Sequence, residues 1–260
     1  MDTATVLLAT ALGTLAAQLL LWLVSLRLRD VSIVDIYWGV GFAQIAIITA
    51  ALADGWPWRQ LLLTQLTVLW GLRLGFYLFW RNAGHGEDYR YQAMRRHHGD
   101  RFPLVSLATV FGLQGALMWI VSLPVQLGQL GASPAHLTWL DGAGVALWAL
   151  GLAFETIGDL QLAAFKADPA NAGQVMDRGL WRYTRHPNYF GDACVWWGLW
   201  LIATAGGAWW TVFSPALMTF FLMKVSGVAM LERTIGKRRP AYADYIARTS
   251  AFVPWFPRRR

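Results

Sequence analysis

From Gly179 to Asp192 the chain reads Gly-Leu-Trp-Arg-Tyr-Thr-Arg-His-Pro-Asn-Tyr-Phe-Gly-Asp. Arg182 and Arg185 bring planar, permanently charged forks that match phosphate oxygens. His186, Asn188 and Tyr189 can both donate and accept hydrogen bonds. Pro187 suits the first turn of a helix, so a basic loop is expected to run directly into an apolar helix. Two arginines are what any cytosolic loop of a membrane protein carries. They do not account for His186, Asn188, Tyr189 and Asp192 following so closely. The reading is an anionic cofactor held at the cytosolic mouth of a membrane bundle.

The elements that must position this stretch are apolar. The chain has 260 residues, 56% of them hydrophobic and 14% charged, against about 25% charged in a soluble domain. Apolar runs predict an all-α polytopic bundle of about seven spans, near 5–26, 33–52, 61–80, 104–127, 137–165, 189–205 and 209–231. Lys and Arg fall almost wholly in alternate loops and in the tail: Arg27 and Arg29; Arg81, Arg90, Arg95, Arg96 and Arg101; Lys166, Arg178, Arg182 and Arg185; then Arg233 to Arg260. This one-sided pattern predicts an integral membrane protein with a cytoplasmic C-terminus, the bacterial inner membrane being the expected location. It also explains the net charge of +7 without nucleic acid. The partners expected are membrane lipids and an apolar substrate. A lone cysteine, Cys194, excludes an internal disulfide framework and a cysteine-based zinc cluster.

No soluble nucleotide-binding fingerprint, HExxH, Walker loop or GxSxG is present. Ionisable groups do fall within or beside the spans, among them Asp35, Glu155, Asp159 and Asp192. Such groups are costly in hydrocarbon and face a cavity or a partner. With Gln161, Lys166 and Asn171, then the central stretch, then Glu232, Arg233 and Tyr242, they form a polar constellation in the C-terminal half.

This constellation resembles the steroid 5-alpha-reductase C-terminal superfamily, and its DUF1295-type bacterial branch most of all. The residues that carry the resemblance are Asp159-Leu-Gln-Leu-Ala-Ala-Phe-Lys166, the Gly179–Asp192 stretch, Tyr242-Ala-Asp-Tyr245 and Val253-Pro254. They cover about residues 155–257. The resemblance implies NADPH as cofactor, contacted by Asp159, Lys166, Asn188 and Asp192, with Trp181 as a cofactor-lining aromatic. The chemistry of the side chains agrees with it. Lys166, Arg178, Arg182 and Arg185 suit the pyrophosphate and 2′-phosphate, while Asn188, Tyr189 and Asp192 suit ribose or carboxamide. His186 and Asn171 lie within the same constellation. Glu232, Arg233 and Tyr242 are the corresponding residues of the tail.

The whole chain is then expected to be one membrane domain, with substrate-cavity helices over 1–130 and a cofactor-binding module over 131–260. The Gln-Glu dipeptide of steroid reductases is absent from the second span. In its place stand Ser32-Ile-Val-Asp35-Ile-Tyr37-Trp-Gly39 and, after the third span, Gly86-Glu-Asp-Tyr-Arg-Tyr91, which resemble the DUF1295 signatures. Reduction of an enone needs a donor to the carbonyl oxygen as enolate charge develops. Asp35 with Tyr37, or Tyr91, are the candidates. Two alternatives stand beside this: Asp35 caps the second span and pairs with Arg27 or Arg29, or the loop 87–91 closes over the cofactor. The function expected is NADPH-dependent reduction of a carbon–carbon double bond in a steroid-like or other apolar lipid. The alternative is an S-adenosylmethionine-dependent lipid or isoprenylcysteine-type methyltransferase.

Overall fold

The computed structural model describes residues 1–225 and 242–258, and among these it contains helices and no strand. The helices are α1 (Thr3–Leu28), α2 (Ile33–Leu52), α3 (Pro57–Asn82), α4 (Tyr89–His98), α5 (Phe102–Ser106), α6 (Leu113–Val121), α7 (Leu123–Leu130), α8 (Trp139–Ala167), α9 (Pro187–Ala205), α10 (Phe213–Phe220) and α11 (Tyr242–Arg248). Among the described residues, five segments are long and apolar enough to cross a bilayer: α1, α2, α3, the run Tyr89–Val121 and α8. The chain is an all-α integral membrane bundle. The expected sixth span, α9, has 19 residues, but Asn188, Asp192 and its tryptophans make it less apolar than those five. The expected seventh is a shorter apolar run, Trp209–Val225, and the remainder of that span lies outside the described residues.

The fourth span begins well before the expected position. Residues 89–101 are polar and basic and read as loop, yet they are helical from Tyr89. Asp88 explains the start: its carboxylate accepts the Arg90 backbone N–H at 2.9 Å and caps α4. A π-helical turn at Leu107–Gly112 then joins α5 to α6.

The chain forms two compact units. The first comprises Met1–Thr138 and Ile202–Ser214, the second Trp139–Leu201 and Pro215–Arg260. In the first unit Gly39 of α2 and Gly71 of α3 meet backbone to backbone, and neither leaves space for a Cβ. Small residues at a crossing allow the close approach that drives helix association in lipid. α1 has the inside-out pattern of a membrane helix. Leu8, Leu12, Leu15, Leu19 and Leu23 are exposed, whereas Thr10, Thr14, Gln18 and Ser25 are buried. The Thr10 hydroxyl donates to Gln126 Oε1 at 2.6 Å, tying α1 to α7.

In the second unit, glycines recur every seven residues along α8, at Gly144, Gly151 and Gly158. A Cβ at Gly151 would strike Gly191 and Val195 of α9, and one at Gly158 would lie 3.0 Å from the Pro187 ring. Gly198 of α9 similarly meets Gly144 and Trp148. This stripe seats the start of α9, and with it the polar stretch before it, directly on α8.

Candidate functional site

Loop 168–186 of the second unit is held by latches on both sides. Gly179 has φ +57°, a backbone state that favours glycine, and a Cβ there would run into the Gln161 side chain. The Leu180 N–H donates to Gln161 Oε1 at 2.9 Å, and Trp181 Nε1 donates to the Gly158 carbonyl at 3.0 Å. On the other side lies the tail. Thr184 pairs with Ser250, the Arg185 N–H donates to the Ser250 carbonyl at 2.9 Å, and the Trp255 N–H donates to the Tyr183 carbonyl at 2.9 Å. The Thr184 hydroxyl donates to the Phe252 carbonyl at 2.8 Å. Tyr245 Oη donates to the Trp181 carbonyl, and burial pushes its phenol well above the usual range.

Two of the expected cofactor residues serve this scaffold. Arg185 is buried, and its Nη1 donates to the Ile246 and Thr249 carbonyls at the end of α11, where a cation also meets the negative end of the helix. Trp181 is buried with its indole N–H on Gly158. Asn188 Nδ2 donates to Asp159 Oδ1 at 3.1 Å, and His186 stacks on Tyr189 with ring centroids 5.4 Å apart. Asp159, His186 and Asp192 are buried beside them. Tyr242 is buried against Tyr245. Lys166 and Asn171 line a smaller cleft of about 170 Å³, with Asn171 Nδ2 on the Phe165 carbonyl at 3.1 Å. Glu232 and Arg233 lie outside the described residues.

Arg178 and Arg182 line a larger cleft of about 770 Å³, and two residues absent from the sequence assignment join them. Arg248 and Arg258 come from the tail, with Thr249, Phe256 and Pro257 completing the wall. Asp177 is the carboxylate lining this cleft, and it pairs with Arg248. Four guanidiniums against one carboxylate leave a strong positive excess. Planar forks around a cleft of this size suit a ligand with several phosphates. An aromatic face, Phe256 held edge-on to Tyr183 at 6.1 Å, stands beside them.

The first unit holds a second polar cluster. Tyr91 Oη donates to Asp35 Oδ1 at 2.7 Å, and Arg90 Nη2 donates to Asp35 Oδ2 at 2.7 Å. Arg90 Nε is held in turn by Asp88 Oδ1 at 2.9 Å. Gln114 Nε2 reaches Asp35 and Tyr91 at 3.4 and 3.5 Å. Burial opposes ionisation of Asp88, but its bonds to Arg90 and the charges of Arg90 and Arg81 hold its carboxyl below the ordinary range. The loop that carries Asp88 is fixed from behind. Its backbone N–H donates to Ser32 Oγ at 2.6 Å, and Glu87 accepts from the Val31 N–H at 3.0 Å and from Arg95 at 2.7 Å.

Asp35 is therefore neither a cap nor a partner of Arg27 or Arg29. Ser32 occupies the N-cap position of α2, and the cations on the two carboxylates Asp35 and Asp88 come from Arg90. The loop 87–91 packs onto the start of α2. Tyr37 stands apart from the cluster, its hydroxyl donating to Gln44 Oε1. Arg90 and Gln114 were missed because Asp35, which both meet, is remote in sequence; the basic run around Arg90 read as a cytosolic loop.

An uncharacterized protein of Schizosaccharomyces pombe is 22% identical over 262 residues, covering 90% of this chain and 75% of that protein. No solved structure matches the chain. The family described as "Protein of unknown function (DUF1295)" matches residues 21–249, which include Asp35, Asp88, Arg90 and Tyr91 of the first unit and Arg178, Arg182 and Arg248 of the second, and so reach far beyond the C-terminal half. The chain belongs to this DUF1295 family, a steroid 5-alpha-reductase-like group.

Proposed function

We propose that the protein is an NADPH-dependent reductase of a carbon–carbon double bond in an apolar lipid enone, steroid-like in chemistry. The observation that carries the reading is the cleft lined by Arg178, Arg182, Arg248 and Arg258. In this reading those four residues take the pyrophosphate and the 2′-phosphate. Asn188 and Asp159 then offer hydrogen bonds to the uncharged part of the cofactor. NADPH would supply a hydride to the β carbon of the enone.

The chain supplies the other half of the chemistry through the first unit. In this reading Tyr91 Oη turns its one proton from Asp35 Oδ1 to the substrate carbonyl oxygen as negative charge builds there, which breaks the Tyr91–Asp35 bond as the new one forms. Asp35 orients that hydroxyl, and Arg90 balances the Asp35 charge. The arginine-bearing loops and the tail are assigned to the cytoplasm, following the one-sided basic pattern. A reporter fused after Arg260 should be active only if its activity requires the cytoplasm.

The test of the cofactor is a melting curve of the purified protein in detergent. NADPH should raise the melting temperature by mass action, and NADH should raise it less. Stabilisation by S-adenosylmethionine with none by NADPH would replace the reductase with a methyltransferase.

A further inference from the structure

Gln18 lies in the middle of α1, a helix rich in leucine and alanine. Its side chain is turned inward and is 2% exposed. Neither Nε2 nor Oε1 finds a hydrogen-bond partner among the described residues. A primary amide buried without partners is a costly group inside a membrane bundle, and a chain gains by replacing it unless something binds there. The other buried polar residues of this face behave differently. Thr10 donates to Leu7 and Gln126, Thr14 to the Thr10 carbonyl, and Ser25 to the Trp22 carbonyl.

The side chain packs against α6. Gln18 crosses α6 at Gly115, where an added Cβ would lie 3.0 Å from Gln18 Cγ and 3.7 Å from Cδ. The preceding residue on that helix is Gln114, whose amide reaches Asp35 and Tyr91 only at 3.4 and 3.5 Å, the long limit for such bonds. Of these two amides, Gln18 lacks partners among the described residues and the half-buried Gln114 bonds only at long distance to the Asp35–Tyr91 pair.

We infer that Gln18 and Gln114 form a binding site for an uncharged oxygen function, a hydroxyl or a carbonyl, on an otherwise apolar lipid. An amide both donates and accepts, so it can serve either group, and the neutral pair has no preference for an ion. The inference rests on the reading of the first unit as the lipid-binding half of a reductase, and it adds to that reading the two amides that would contact an oxygen of the lipid. Gln18 is a specificity-determining residue in this account, and its role is independent of the cofactor.

The experiment is a set of melting curves on the full chain in detergent, without NADPH. Gln18→Met keeps the length of the side chain and removes the amide. Its melting temperature should equal or exceed that of the wild type. A fall of more than about 4 °C, or failure to fold, would mean the chain itself satisfies the amide, and the inference would be overturned. The probes are hexadecan-1-ol, hexadecan-2-one and hexadecane at equal concentration. At least one oxygenated probe should raise the wild-type melting temperature by about 2 °C or more above the hexadecane value, and that increment should vanish in Gln18→Met. If neither oxygenated probe exceeds hexadecane, or if the increment survives in Gln18→Met, the site does not read oxygen through Gln18. Stabilisation of the wild type by NADPH is measured separately, so loss of the reductase reading is told apart from loss of this one.

Discussion

The two polar clusters of this protein differ in how they treat charge. In the first unit, Asp35 and Asp88 share Arg90, and Glu87 holds Arg95. In the second, four arginines face one cleft with Asp177 as the acid among the lining residues. The first arrangement is closed on itself and offers an incoming anion little. The second carries an excess that a multiply charged anion would balance. Both are rich in Arg, so composition alone would not separate them. The pairing of their charges does, and in the proposed function it is the open cluster that takes the charged cofactor and the closed one that supplies the proton.

The largest effect should come from attacking the cleft. Arg178→Ala with Arg182→Ala removes two charged donors, each expected to contribute roughly 1.5–3 kcal/mol to binding a phosphate group. NADPH affinity should fall by about a hundredfold or more, while Asp35→Ala should change it by less than about threefold. Affinity should also weaken steeply with added salt, since the cleft is open to solvent screening. Equal losses in both variants would dissolve the division between the clusters.

Next in size is turnover. Tyr91→Phe and Asp35→Asn should each leave NADPH affinity near the wild-type value and lower the single-turnover rate about tenfold or more, because a donor to a developing enolate acts in the transition state. If both keep the rate within about threefold of wild type, the closed cluster is structural and the proton comes from elsewhere.

A smaller effect sharpens the account of how the cleft is built. Tyr245→Phe leaves the buried Trp181 carbonyl without its phenolic donor. The expected cost is about 1–3 kcal/mol of stability, seen as a lower melting temperature. NADPH affinity should follow in the same direction, since α11 carries Arg248 into the cleft. An unchanged melting temperature would show that the tail is not held by this bond.

Much of this was legible in the sequence, and the failures have physical causes. Apolar runs marked α1, α2, α3 and α8 to within a few residues, because lipid enforces long uninterrupted helices. The start of the fourth span was missed because Tyr89–His98 is polar, and a cap at Asp88 rather than hydrophobicity begins the helix. Arg178 and Arg182 were readable as a basic loop. Arg248 and Arg258 were not, since the pairing of Thr184 with Ser250 that fixes the tail is non-local. Arg185 reads like its neighbours, yet it faces backbone carbonyls; no local pattern distinguishes a phosphate-binding arginine from a helix-capping one. Gln18 did leave a signal, a lone amide within a leucine-rich run, and its meaning emerged only with the burial of both its polar atoms.

The last prediction is the smallest and uses pH to probe the closed cluster alone. Asp88 lies in the loop before α4, and its carboxyl in the folded protein is held below its ordinary value. Burial works against this, but the Arg90 side-chain and backbone bonds and the nearby guanidiniums outweigh it. A depressed folded value means that the unfolded chain takes up the proton first as the medium is acidified. The contribution of Asp88 to stability is therefore complete above the ordinary carboxylate range and is lost as pH falls through its lowered value. Wild-type melting temperature should drop between about pH 5 and pH 3, and part of that drop should be missing in Asp88→Asn, whose amide does not titrate. Arg178→Ala with Arg182→Ala should retain the full acid loss, because the charges that lower Asp88 are those of Arg90 and Arg81. If Asp88→Asn follows the wild-type curve throughout, the bonds to Arg90 do not stabilise the folded chain. The closed cluster would then be held by the Tyr91–Asp35 bond and the Glu87 latch rather than by the shared guanidinium.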